Sequence, residues 1–442
     1  MQETFLHFVW RTGRFDQRHL RTTAGQSISM FRRGIYHGHA GPDFSNAHLR
    51  IGETVWHGHV EMHLFASDWY RHQHQDDPLY DGTILHVVWE EDQPVFRRDG
   101  TRLPCLELKP LVHPQLLGQY QRLIADGNGI PCKFRLPEIP DLVKRSMLDR
   151  TLIERLDRKA DHLVHLLHQQ GGDWEQITYM SLAEGLGTPV NKEPMEQIAR
   201  TIPLRLLQRY RHDPHLVEAL LLGQAGILPA DPGPDPYARQ LVNDYSFLAR
   251  KHVLTPMPAS RWKYLRMRPV NFPDLRLARL ASLVVHHENW LANILYAANA
   301  REWVNSLEVG IPPYWTRHYR LGKPSPPSPK RLGKAMGHTL VINVMVPMLY
   351  AYGRSRGESK WQEKALDILA GLPAESNAVT RTWTRYGLTP TQASDSQALL
   401  QLKQAYCAHK RCLHCALGCH LLQQKASSTR ESRRTASPPV PG

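Results

Sequence analysis

The stretch Trp56-His57-Gly58-His59-Val60-Glu61-Met62-His63-Leu64 sets a carboxyl group among imidazoles, a combination that can ligate a cation or move a proton. Eleven of the 25 histidines fall in the first 86 residues, so this chemistry is concentrated near the N-terminus. Read as a β-strand, the stretch puts His59, Glu61 and His63 on one face and Val60, Met62 and Leu64 on the other. One face then packs in a core and the other serves chemistry; the plainer alternative is a polar face wetted by solvent. Upstream, Gly41-Pro42-Asp43-Phe44 places a second acid where a neighbouring strand begins, and a hairpin would bring Asp43 to Glu61. Two converging carboxylates repel unless a cation lies between them, and hard oxygen donors suit Mg²⁺ or Mn²⁺. Such an ion lowers the pKa of a water and stabilises charge developing on a phosphate.

A second group of donors follows in Asp68-Trp69-Tyr70-Arg71-His72-Gln73-His74-Gln75-Asp76-Asp77, and the next apolar run delivers His86. With His63, the residues His72, His74 and His86 form a candidate zinc or iron site, since imidazole suits those ions. In the alternative, Trp69 and Tyr80 anchor a loop and His72 and His74 hydrogen-bond locally. Near the other end, Cys407, Cys412, Cys415 and Cys419 are spaced C-x₄-C-x₂-C-x₃-C, close enough for a zinc ion or an iron–sulfur cluster. An unbroken helix cannot wrap all four around one centre, so a break is expected at residues 409–411. Cys132 could instead take the place of Cys419, and four buried reduced thiols are the plain alternative.

Elements must position these groups, and the apolar pattern supplies them. Residues 2–12 read as an amphipathic helix, and residues 47–51, 55–65, 83–89 and 103–108 as strands, with Gly52-Glu53 as a tight turn between the first two. From Leu142 the period becomes helical, with Leu148, Leu152, Leu156, Ala160 and Leu163 on one stripe and Gly171-Gly172 as the stop. Further helices are expected over 174–186, 193–210, 214–226, 236–251, 274–306, 335–353, 358–371 and 393–424. The expected fold is α+β: an N-terminal mixed β-sheet domain over 1–135, a large helical domain over 136–425 that carries the cysteines, and a disordered basic tail over 426–442.

The 55 Lys and Arg against 41 Asp and Glu leave a formal charge of +14, which attracts polyanions. Nucleic acid is the expected partner, with solubility charge as the alternative. Arg261, Trp262, Lys263, Arg266 and Arg268 interleave cations with an aromatic ring, a pattern that can grip phosphates and stack on bases. The start has an acid before its apolar residues, unlike a secretory signal, and the apolar run over 340–352 is short and interrupted by Asn343 and Pro347. A cytoplasmic protein with no membrane association is therefore expected.

The Pro42-Asp43 pair followed by Glu61-Met62-His63 resembles the PD-(D/E)xK signature of restriction-endonuclease-like nucleases, with His63 where that family usually has Lys. The resemblance implies Asp43 and Glu61 as metal ligands, His63 as the residue that orients the attacking water, and Glu3 as an assisting acid on the first helix. Glu107-Leu108-Lys109 is a competing match that keeps the Lys. Some nucleases of this kind carry a long-range cluster staple, to which a Cys132 alliance with the C-terminal cysteines is similar.

The chain also resembles, over nearly its full length, a bacterial family known only as a domain of unknown function. That resemblance rests on residues 41–47, Val60-Glu61-Met62-His63, Ser67-Asp68-Trp69, His72-Gln73-His74 with Asp77, residues 84–88, Ile130-Pro131-Cys132, residues 268–273 and the terminal cysteines. The expected activity is a metal-dependent nuclease-like phosphodiesterase. A non-catalytic nucleic-acid-binding or complex-assembly protein and a zinc-dependent hydrolase of small molecules are the alternatives.

Overall fold

A computed structural model describes residues 2–37, 40–125 and 129–424; the tail expected over 426–442 lies outside the described residues. The chain divides into two compact units, one formed by Met1–Met147 with Lys403–Gly442 and the other by Leu148–Leu402. The cysteine segment thus joins the sheet unit, whereas the sequence pattern grouped it with the helices. The sequence pattern records helical period, which is local, while membership of a unit is decided by tertiary packing that period does not report.

In the sheet unit, helix α1 (Glu3–Thr12) precedes β1 (Ile28–Arg32), β2 (Ile35–Tyr36), β3 (Phe44–Ile51) and β4 (Thr54–Phe65). β1 and β2 both pair antiparallel with β3, and β3 pairs antiparallel with β4. A two-residue turn closes β3 on β4 with Ile51 opposite Thr54, and Gly52 adopts the positive φ of 60° that such a turn needs. The chain then crosses over through the short helix α2 (Asp68–Arg71) and a 3₁₀ turn at Pro78–Tyr80, and returns as β5 (Thr83–Glu90), parallel to β4. A parallel pair requires such a crossover, and here the crossover carries His72 and His74 over the sheet. The edge strand β6 (Cys105–Glu107) lies parallel to β5, and helix α3 (Pro114–Ala125) follows.

Both faces of the sheet are covered. Phe5 of α1 stacks on Tyr120 of α3 with ring centroids 5.1 Å apart and meets Trp89 of β5 edge-on at 6.5 Å. On the opposite face, Ala66, Trp69 and Tyr80 of the crossover form a core with Val88, Val95, Leu103 and Cys105. The wet polar face considered for β4 is therefore absent: Glu61 and His63 are only 5% and 1% exposed, and His86 is 0% exposed. Polar groups so deeply buried must satisfy one another or a ligand.

The second unit is helical, apart from a small hairpin at His318–Arg320 and Lys323–Pro324. Helix α4 (Asp141–Gln169) ends just before Gly171 and Gly172, both at positive φ. The single helix expected over 274–306 is three, Pro273–His286, Trp290–Tyr296 and Ala300–Ser306, the last capped by the Asn299 side chain accepting from the Glu302 N–H. Asparagines at such breaks compete for backbone hydrogen bonds, which apolar periodicity does not register. Among the described residues one helix, Lys334–Arg356, is long and apolar enough to cross a membrane, contrary to the short run read from sequence, and 67% of its apolar window is buried inside the protein. It contains a π-helical turn at Val341–Met345, just before Pro347, which has no N–H to donate.

Candidate metal centre

The site is assembled where β4 passes beneath the crossover. Register sets Glu61 beside His86 and His63 beside Val88, so strand alternation puts Glu61, His63 and His86 on one face. The crossover returns His72 and His74 onto that face, where ligand atoms of His63, His72 and His74 lie within 4.8 Å of one another. His63 Nε2 is 3.1 Å from His72 Nδ1 and 3.6 Å from Glu61 Oε1, and His74 Nε2 is 3.5 Å from the same oxygen. Donor separations of about 3 to 3.5 Å are those imposed by a first-row ion with bonds of about 2.1 Å.

His86 stands behind this group, with its Nε2 2.8 Å from His63 Nδ1. If His63 Nδ1–H donates to His86, the His63 Nε2 lone pair is left facing Glu61 and His72, the tautomer a metal ligand requires. His86 then carries its own proton on Nδ1, which is buried with no hydrogen-bond partner among the described residues. His74 is clamped by Tyr80, whose ring stacks on it at 3.8 Å.

Electrostatics keeps the group uncharged without a cation. Burial pushes His63 down to about 2, helped by the nearby His86, His74 and His72. Burial likewise takes His86 down to about 3 and lowers His72 and His74. Burial and then the charge of Asp43 push Glu61 up to about 9. Neutral imidazoles are competent ligands, and a cation here would favour the ionised form of Glu61. The donor set therefore fits a transition ion such as zinc, manganese or iron, which imidazole and carboxylate together suit.

Asp43 lies beside this group. Its N–H donates to Glu61 Oε2 at 3.0 Å, while its Oδ2 accepts from the Met62 N–H at 3.1 Å and lies 3.1 Å from His7 Nε2. The structure thus brings Asp43 and Glu61 together through a backbone N–H, and the atoms converging on Glu61 Oε1 are imidazole nitrogens. Sequence reasoning missed His7. Its signal was the spacing of Glu3 and His7, one turn apart on α1, and the charge of Asp43 also raises the Glu3 carboxyl, after burial.

The remaining candidates are placed elsewhere. Glu107 is on edge strand β6, and Lys109 just beyond it pairs with Glu90. Arg261 closes a 3₁₀ turn and pairs with Glu193 at 2.6 Å. Trp262 is buried, its indole N–H donating to the Ala225 carbonyl at 2.7 Å, so this ring cannot stack on a base. Lys263, Arg266 and Arg268 are exposed on an irregular segment, with Arg266 at a φ of 60°. Cys407, Cys412 and Cys415 are buried together with Cys132 in the sheet unit, and Cys419 is half-buried.

The fold and site define an α+β protein with an imidazole-rich, carboxylate-containing centre built on a mixed sheet. The chain belongs to the family described as Protein of unknown function (DUF2851), whose profile matches residues 3–378, a span that holds the whole sheet, the crossover and Cys132. No curated protein and no solved structure matches the chain.

Proposed function

We propose that the sheet unit is a metal-dependent phosphodiesterase acting on nucleic acid, with Glu61, His63, His72 and His74 as the metal ligands. The observation that carries this reading is the convergence of two imidazole nitrogens on one carboxylate oxygen, His63 Nε2 at 3.6 Å and His74 Nε2 at 3.5 Å from Glu61 Oε1, with His72 Nδ1 3.1 Å from His63 Nε2. A bound ion would polarise a phosphate and lower the pKa of a water. The Asp43 N–H fixes Glu61 Oε2 and so leaves Oε1 free for the ion, while His86 orients His63 from behind. His72 is the exposed member of the set and marks the side from which substrate arrives. The charge of +14 supports a polyanionic substrate.

The test uses full-length protein with labelled single-stranded and duplex DNA and RNA, each with added zinc, manganese or magnesium. Metal-dependent cleavage is expected, with a loss of at least about 100-fold in Glu61→Gln while circular dichroism is unchanged. Undiminished cleavage by that variant contradicts the assignment. The depth of Glu61 and His63 also favours a second reading, hydrolysis of a small molecule at the same ion. Turnover of small phosphate or carboxylate esters without cleavage of any polynucleotide would select it.

A further inference from the structure

Four of the six cysteines stand at turns or helix ends inside the sheet unit. Cys132 heads the 3₁₀ turn Lys133–Glu138, Cys407 ends the π-helical turn Leu402–Cys407, Cys412 opens the 3₁₀ turn Cys412–His414, and Cys415 precedes the helix Ala416–Gln423. Between Cys407 and Cys412 the chain doubles back: the Lys410 N–H donates to the Cys407 carbonyl at 3.1 Å and the Arg411 N–H to that of Tyr406 at 2.9 Å. Lys410 takes a φ of 51° to make the reversal, which falls within the break expected at residues 409–411. The Cys415 N–H then reaches the Cys412 carbonyl at 3.3 Å. Gly418 lets the following helix lie against this turn, since a Cβ there would stand 2.2 Å from the Cys412 carbonyl oxygen.

The distant Cys132 is held against the same segment from both sides. The Lys403 ammonium donates to the Gly129 carbonyl, while the Gln424 side chain accepts from Arg135 at 3.3 Å and donates to the Glu138 carbonyl at 3.4 Å. Cys132, Cys407, Cys412 and Cys415 are all buried. Every pair among them is close enough that ionising one thiol opposes ionising the other. Cys419 is less buried, and its Sγ–H donates to the Leu413 carbonyl at 3.1 Å.

We propose that Cys132, Cys407, Cys412 and Cys415 ligate a single metal centre through four thiolates, an iron–sulfur cluster or a zinc ion. A C-x₄-C-x₂-C run with a fourth cysteine far away in sequence is a spacing that iron–sulfur clusters use, and four thiolates equally satisfy tetrahedral zinc. Either centre would pin the turn after α3 to the C-terminal segment. The proposal is independent of the histidine site.

The experiment is metal and acid-labile sulfide analysis, with visible absorbance, of anaerobically purified full-length protein in a His72→Ala/His74→Ala background, so that nitrogen ligands contribute no metal. Iron with sulfide and visible absorbance, or zinc without either, is the expected result and distinguishes the two centres. Cys132→Ser and Cys412→Ser should lose that metal, and Cys419→Ser and Cys105→Ser should keep it. Because Cys132→Ser could unfold, X-ray absorption at the metal edge of the background protein must also show all-sulfur protein ligation. Absence of thiolate-bound metal, or full retention in folded Cys132→Ser, overturns the proposal.

Discussion

Glu61 divides its two oxygens between two tasks: Oε2 accepts the Asp43 N–H, and Oε1 faces His63 and His74. With its pKa raised to about 9 in the fold, the metal-free native state holds a proton that the unfolded chain releases near 4.5. Bound protons are then more numerous in the native state, so this contribution to stability is complete below the unfolded value and is lost as pH rises through about 9. In chelator, urea unfolding between pH 7 and 9 should show stability falling by up to about 1.4 kcal/mol per pH unit from this group, and Glu61→Gln should flatten the slope. His63 and His86 act in the opposite sense and lower down: with folded values of about 2 and 3, their contribution is present above 6.5 and lost on acidification. A second expectation concerns His86, which touches His63 and would stand behind a bound ion rather than ligate it. His86→Ala should weaken metal binding by about 10- to 100-fold in a calorimetric titration without abolishing it. The residues of this site were largely legible, since Glu61, His63, His72, His74 and His86 all stand out by type and density. Their division of labour was not. Strand alternation gives the face of His63, but only the path of the crossover decides that His72 and His74 land on it.

Glycine at position 58 is what allows β4 and β5 to run so close at their start. A Cβ there would lie 2.5 Å from both the Gly82 carbonyl oxygen and Ile84 Cγ2. Neither is the end of a flexible side chain, so Gly58→Ala should destabilise the sheet unit by about 1 to 3 kcal/mol, read as a lower urea midpoint. Because Glu61 is three residues further along the same strand, metal affinity should fall as well. At this scale the sequence revealed β4 and β5 to within a residue at each end, because long runs of apolar and β-branched residues are bounded by turn residues, whereas β3 begins at Phe44 rather than at residue 47 and β6 occupies only Cys105–Glu107 of the run over 103–108. It did not reveal β1 or β2. Ile28–Arg32 buries only its first residue fully and Ile35–Tyr36 buries neither, so no apolar alternation marks them. The helix expected over 393–424 is only partly of this kind. The break expected at residues 409–411 is present at Lys410, but the π-helical turn Leu402–Cys407 and the 3₁₀ turn Cys412–His414 that flank it, and divide Ala393–Gln401 from Ala416–Gln423, depend on backbone geometry that periodicity cannot see.

Across the whole molecule the charge of +14 is the feature that reaches furthest from the site. If nucleic acid is the substrate, its affinity should fall steeply as salt rises from about 50 to 200 mM, because cations on the protein release counterions from the phosphates. Replacing the exposed Lys263, Arg266 and Arg268 with Gln should reduce that salt dependence, measured by fluorescence anisotropy, and leave metal content unchanged. The α+β class was legible from the change of apolar period after residue 142, whereas the return of the cysteine segment to the sheet unit stood only as the alternative in which Cys132 joins the C-terminal cysteines, since it is a pairing over some 270 residues. The central claim remains that Glu61 and three histidines hold one ion. Full-length protein equilibrated with manganese, an ion that thiolates do not favour, should bind one ion per chain. The His72→Ala/His74→Ala variant of the same protein should bind that ion at least about 100-fold more weakly. Equal stoichiometry and affinity in the two proteins would contradict the account.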